Sequence, residues 1–413
     1  MARLPLTWRS LSLAAAAVLM SAYTAFSAPL QGDYPGPFCR GCDRAAPPID
    51  ALAGGHIATF FHTQPVMGPF TLLLRAPVVA IARAAGGGQL SQYRLGDFAC
   101  LLLVAALLSL PVSRMPQWRW RWLMQALVLG LVLVGPMTMR ALWWGHPEEI
   151  VGGALCVAAV LLAWDARPLA AGIALGLALA TKQWGLLAIV PTLIACSRER
   201  KRLLGAAALV AVVLIAPMLA GDPSLFLWQA LHAGVVSGSG STAGVTPTNI
   251  WFAYGAQVGA VAGPGGGTTY GIPSSLAAVT HPVAIAVGVG IPLLLWSRLR
   301  GASAADLLML FALVMLLRCL LDPLAASYHH VPFLVALAAS EGLRGRGLPI
   351  LSVLSAAALW ILAHEIAPIG NAVLLNLTYL AWALPMAGFL LVRCYLVRAE
   401  PRSAHRLQVH AAR

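Results

Sequence analysis

Trp143-Trp144-Gly145-His146-Pro147-Glu148-Glu149 is a short polar knot between two long apolar runs. Residues 122–139 before it and 150–164 after it carry no charged side chain. About 20 apolar residues, rising 1.5 Å each, cover the hydrocarbon core of a bilayer. The knot therefore falls at or near a membrane interface, where tryptophans are enriched. One imidazole and two carboxylates are costly at that depth and point to a site. Two other readings stand beside this one. The glutamates could meet only water in a solvated loop. They could also serve the start of a helix, where acids favour the dipole and proline fits the first turn.

Composition agrees with the knot. Of the 413 residues, 60% are hydrophobic and 10% charged, against about 25% charged in soluble domains. Strand alternation is absent, which argues against a barrel. The expected fold is an all-α polytopic membrane protein in a single domain, residues 1–413, with about 12 transmembrane helices. The net charge of +13 reads as orientation, with Lys and Arg held on the cytoplasmic side, rather than as affinity for nucleic acid.

The expected spans are 11–28, 96–112, 122–140, 148–164, 168–181, 184–196, 203–220, 282–297, 304–321, 328–340, 348–364 and 377–397. The first follows Arg3 and Arg9 and resembles a signal peptide. A cut after Ala28 would set Phe26 and Pro29 around the cleavage point, so it reads as an uncleaved helix. Residues 67–85 form a further apolar stretch with Arg75 at its middle and Pro69 and Pro77 inside. Val66, Phe70, Leu73, Leu74 and Ile81 fall on one helical stripe, so this helix is expected to lie in the interface. If it crossed, the basic clusters from Arg114 onwards would move outside. With twelve spans most Lys and Arg lie inside, both termini are cytoplasmic, and residues 398–413 form a basic cytoplasmic tail.

The external side then receives residues 29–95, the polar knot, Lys182-Gln183, the loop 221–280, Asp322 to His330 and residues 364–376. Most of the carboxylates and histidines fall there, so the external face is the chemically equipped one. Loop 221–280 is rich in small and turn residues, for example Ser237-Gly238-Ser239-Gly240-Ser241, and is expected to be partly mobile and to act as a lid or binding loop. No internal repeat is found, which weakens a transporter reading.

Several features in this order carry a resemblance: the large first loop with Asp residues, the turn Gln64-Pro65-x-x-Gly68-Pro69, the interfacial helix, the His-Pro-Glu turn, and the helix end Thr181-Lys182-Gln183-Trp184. Asp322-Pro323 followed by Ser327-Tyr328-His329-His330 adds to it. The chain resembles the GT-C superfamily of membrane glycosyltransferases over residues 1–335. It is most similar to actinobacterial proteins of glycosyltransferase family 87, the polyprenol-phosphate-mannose-dependent type. The resemblance implies a plasma-membrane enzyme of the cell envelope, a mannosyltransferase. It would take a sugar, mannose by the family's habit with arabinose or another pentose open, from a polyprenyl-phosphate carrier and place it on the hydroxyl of a glycan, a glycolipid or a protein at the external face. Membrane lipid is a further expected partner and nucleic acid is not.

The resemblance also assigns roles. Asp43 matches the first-loop general base by position, with Asp33 and Asp50 as alternatives. A carboxylate can take the acceptor proton if it lies within hydrogen-bond reach. His146, Glu148 and Glu149 are candidate binding residues: Glu148 could bind sugar hydroxyls, and His146 could touch phosphate or orient a carboxylate. Lys182 would supply the leaving phosphate with a point charge, with Gln183 beside it; a lysine snorkelling to the interface is the competing reading. Arg94, Arg140 and Arg318 are rival phosphate partners. Tyr328 and His329 are candidates at the late turn, where an aromatic ring could stack on sugar. No cofactor is certain, and a divalent metal stays open. Cys39 and Cys42 with His56 and His62 match a zinc spacing, but an external loop favours a disulfide or free thiols. Trp228, Trp251, Phe252 and Tyr254, with Thr246 to Asn249, are read either as an acceptor groove or as an aromatic belt. The alternative function, a lipid-linked sugar flippase or transporter, would need a polar path through the membrane.

Overall fold

The computed structural model describes residues 8–28, 44–65, 67–232, 242–260, 268–345 and 347–397. The helices in chain order are α1 (Trp8–Ser27), α2 (Ala46–Ala53), α3 (Ile57–His62), α4 (Pro69–Ala84), α5 (Gln89–Arg114), α6 (Arg121–Leu133), α7 (Pro136–Trp143), α8 (Pro147–Trp164) and α9 (Pro168–Leu179). They continue with α10 (Ile189–Ala195), α11 (Arg200–Gly221), α12 (Pro223–His232), α13 (Ser274–Leu294), α14 (Trp296–Leu299), α15 (Ala304–Leu321), α16 (Val331–Arg344), α17 (Ile350–Ile361) and α18 (Ala372–Tyr395). The chain is an all-α polytopic membrane protein, as its composition requires.

Nine helices among the described residues are long and apolar enough to cross a membrane, with α6 and α7 counted together as Arg121–Trp143. The other three of the twelve expected spans are present as shorter helices. These are α9, the pair formed by the 3-10 turn Gln183–Ala188 with α10, and α16. The 12 residues of α9 rise roughly 18 Å, well short of the ~30 Å hydrocarbon core. The expected span, 168–181, is already this short, because the charged Lys182 interrupts an otherwise continuous apolar run.

Two helices form the centre. The α8 span is 89% buried inside the protein and the α15 span 83%, against 17% for α11. Peripheral helices expose apolar side chains such as Leu209, Val212 and Val213, which suits contact with lipid tails. Close approach is arranged by glycine. A Cβ on Gly172 would stand 2.4 Å from the Leu203 carbonyl oxygen, and one on Gly176 would stand 2.7 Å from that of Ala207. This small-x-x-x-small spacing packs α9 against α11, as in many membrane helix pairs.

Helix α4 exposes only part of its apolar stripe: Leu73 and Ile81 are exposed, Phe70 and Leu74 are half-buried against the core, and Leu72, Arg75 and Val79 are buried. Val66 lies outside the described residues. An exposed apolar stripe is what a helix against lipid needs. The inward Arg75 meets Asp97 of α5 at 3.2 Å, with side chains 1% and 0% exposed.

Residues 221–280 contain more order than their composition suggests. Besides α12 they hold a three-stranded antiparallel sheet of β1 (Thr242–Val245), β2 (Ala256–Ala260) and β3 (Thr268–Pro273), in the order β1-β3-β2. The Ser-Gly run 237–241 lies outside the described residues. Asn249 caps the turn between β1 and β2 by accepting the Trp251 and Phe252 N–H groups.

Candidate functional site

The polar knot is built by backbone rules. Helix α7 ends in a left-handed glycine, Gly145, with φ +76°. Gly145 N donates to Leu142 O and His146 N donates to Ala141 O. This paired pattern closes a helix on a glycine and satisfies its last carbonyls. Pro147 then opens α8, where a missing N–H costs nothing. Glu148 and Glu149 sit in the first turn of α8, at the positive end of its dipole. The solvated-loop reading fails, because both glutamates are fully buried.

Each glutamate has its own cation. Glu148 Oε1 accepts from His146 Nδ1 at 2.7 Å and from Lys182 Nζ at 3.0 Å. These three side chains are at most 10% exposed. Glu149 Oε2 accepts from Arg318 Nη1 at 3.3 Å, and Arg318 also lies over the Trp184 ring, 5.2 Å from its centre. Two carboxylates, one ammonium and one guanidinium thus offset one another in a buried cluster. Paired charges are the form in which ionisable groups persist at such depth. One oxygen of each carboxylate, Glu148 Oε2 and Glu149 Oε1, has no hydrogen-bond partner among the described residues.

The position of Lys182 is set from far along the chain. Helix α9 ends at Ala180–Thr181, leaving carbonyls that need donors. Gly68 N donates to Thr181 O at 3.0 Å and Phe70 N to Ala180 O at 2.9 Å. The turn Gln64 to Pro69 is itself held: Gln64 Nε2 donates to Phe61 O and Met218 O, and Gln229 Nε2 donates to Gln64 O. A Cβ on Gly68 would stand 2.2 Å from Ala180 O, so only glycine fits. In α8, Gly152 and Gly153 make room for Trp184 and Pro332.

The late turn closes the cluster's other side. Tyr328 stacks on His146, ring centres 4.8 Å apart and 13° from parallel. His329 Nδ1 accepts the Ala326 N–H at 3.0 Å, which leaves its proton on Nε2. Burial, followed by the charge of Arg318, pushes the His329 pKa well down. His330 is pushed down to about 4, burial again being the main cause, and its ring shares a 2.9 Å hydrogen bond with Tyr379. Burial alone would raise the Asp322 carboxyl, but His281, 3.8 Å away, and the Arg318 charge hold it below the usual carboxylate range. The segment Thr246 to Asn249 is pinned over this turn: Asn249 Nδ2 donates to Pro323 O, and Asn376 Nδ2 to Pro247 O and Asn249 O. Beside Tyr328 lies a cavity of about 320 Å³.

The structure brings together His146, Glu148, Glu149, Lys182, Tyr328 and His329 of the expected residues. Gln183 is exposed beside them. Arg94 joins no hydrogen bond or ion pair with the cluster. Asp33, Cys39, Cys42 and Asp43 lie outside the described residues. Asp50 pairs with Arg83 at 2.5 Å and accepts the Tyr93 hydroxyl at 2.9 Å. His62 pairs with Asp222 at 2.9 Å. Among the described residues no group of three His, Cys, Asp or Glu side chains could hold a metal ion. Trp251 Nε1 donates to Leu321 O at 2.6 Å, a packing role, and Tyr254 is 67% exposed.

Sequence reasoning missed the Arg75–Asp97 pair and the partnership of Glu149 with Arg318. A signal existed for both. Arg75, Asp97, Glu149 and Arg318 are all charges set in apolar helices, and such charges seek one another.

The family model of glycosyltransferase family 87 matches residues 66–323. The match takes in the polar knot, Lys182 and Arg318, and ends between Asp322-Pro323 and Tyr328. No curated protein matches the chain.

Proposed function

Because this chain belongs to glycosyltransferase family 87, we propose that it transfers mannose from a polyprenyl-phosphate carrier to the hydroxyl of a glycan or glycolipid. The reaction takes place at the external face of the plasma membrane, and both chain termini are cytoplasmic. The observation that carries the reading is the buried Glu148–Lys182–His146 group, set within the residues that match the family.

The chemistry follows from what a glycosyl phosphate needs. Asp43 accepts the proton of the acceptor hydroxyl. The acceptor oxygen attacks the anomeric carbon as the bond from that carbon to the phosphate oxygen breaks. Polyprenyl phosphate leaves with the bonding electrons, and the anomeric centre inverts. Lys182 meets the charge growing on the phosphate, a stabilisation that is strongest where water is excluded. Glu148 and the turn from Gly68 hold Lys182 in place. Glu149, His146 and His329 take sugar hydroxyls, Tyr328 stacks on the sugar ring, and Gln183 and Arg94 flank the donor.

The test uses purified protein in detergent and a panel of radiolabelled polyprenyl-phosphate sugars. One carrier is expected to be consumed, and Asp43→Asn and Lys182→Ala to stop its consumption while the protein stays folded. If no carrier is consumed but labelled lipid crosses reconstituted vesicles, the transferase reading fails and the flippase takes its place.

A further inference from the structure

Arg140 is a cation that the buried cluster leaves out. Lys182 and Arg318 are each tied to a glutamate, whereas no carboxylate lies within ion-pair distance of Arg140 among the described residues. Its guanidinium stands 5.7 Å over the Trp143 ring, and it lines the cavity beside Tyr328. At about 320 Å³ the cavity is of the size that ligand sites occupy, roughly 300–1,000 Å³.

The lining has two characters. Arg140, Ser327 and Tyr328 supply a cation and hydroxyls, while Leu359, Leu362 and Leu375 supply hydrocarbon. The apolar side comes from α17, α18 and the turn between them, whose other faces expose Trp360, Ile361, Val373 and Leu377. The wall between cavity and lipid is therefore one helix thick. It also contains the wide π-helical turn Leu362–Ile366, a distortion that recurs at functional sites. A cation with no carboxylate partner among the described residues at one side and hydrocarbon at the other are complementary to a molecule with an anionic head and an apolar tail.

We propose that this cavity is a second anion subsite, separate from Lys182 across the His146–Tyr328 stack. It takes the phosphate head and first carbons of a lipid, with Arg140 as the counter-ion. The proposal rests on the transferase reading for its choice of ligand. A phosphate ester on a long hydrocarbon chain is common to the carrier and to a phospholipid-based acceptor.

The experiment measures binding to the full chain in maltoside detergent by native mass spectrometry. The probes are sugar-free polyprenyl phosphate, phosphatidic acid and inorganic phosphate. At least one lipid phosphate is expected to bind wild type and to bind Arg140→Gln about tenfold more weakly or worse, the effect of losing one charge-assisted hydrogen bond. Arg140→Lys is expected to recover part of the affinity, and Leu362→Trp to reduce it by filling the cavity. Binding of a further polyprenyl phosphate beyond the one held at Lys182 marks a carrier site, and binding of phosphatidic acid alone marks an acceptor site. Unchanged lipid binding by Arg140→Gln overturns the proposal, as does inorganic phosphate competing at equal concentration. Binding is read without transfer. A protein that binds lipid phosphate through Arg140 yet transfers no sugar overturns the transferase reading and leaves the subsite standing.

Discussion

The two ends of the central helices handle charge in opposite ways. At the end where α8 begins and α15 finishes, Glu148 and Glu149 are fully buried with His146, Lys182 and Arg318. At the other end the same helices carry Asp165 and Asp306, paired with Arg114 and Arg344, and these carboxylates are 20% and 21% exposed. Helices that only need to cross a membrane can set their charges where water reaches them, as the second end does. The first end hides two carboxylates at a desolvation cost of several kcal/mol per ion. That contrast, more than any single contact, is the ground for proposing the first end as the working one.

The largest effect comes from breaking the buried end. Glu148→Gln leaves Lys182 and His146 without their carboxylate. It is expected to destabilise the fold by about 3–5 kcal/mol and to reduce transfer at least roughly a hundredfold, read by thermal unfolding and by carrier consumption. A near-neutral result for both would make the two ends equivalent. Next is Gly68→Ala, which drives a methyl group into the Ala180 carbonyl. Displacing the turn that bears Lys182 is expected to cost about 1–3 kcal/mol and to slow transfer, although Gly68 itself touches no charge.

Acidification should find the same end. The folded pKa of His330, about 4, lies below the ordinary value of about 6.5, so the fold prefers the neutral ring. Its contribution is complete above pH 6.5 and is lost as pH falls towards 4. The melting temperature is expected to fall across that window, and His330→Gln to flatten the fall. The smallest effect belongs to the other end. Arg114→Gln is expected to cost at most about 1 kcal/mol and to leave transfer unchanged.

Much of this was legible in advance. The polar knot declared itself because three titratable side chains interrupt apolar runs, and hydropathy needs no tertiary information. The partly exposed stripe of α4 and the placing of the long spans came from the same signal. What stayed hidden depends on packing. The partner of Glu149 could have been any of several arginines until α8 and α15 were set side by side. The sheet was missed because its strands, such as Thr242–Val245, are short and rich in glycine and alanine, residues with little preference for extended structure.

The lock on Gln64 also sets an order of assembly. Gln64 and Met218 are 154 residues apart, so at ribosomal rates of 5–20 residues per second roughly 8–30 s separate their synthesis. Arg75 and Asp97 sit on neighbouring helices and can pair as soon as both emerge. Helix α4 is thus tethered early by one ion pair, while the turn that positions Lys182 waits for α11. That turn is a late part of this half of the chain to be locked, and until then the nascent protein holds a lysine whose supporting turn has not yet docked.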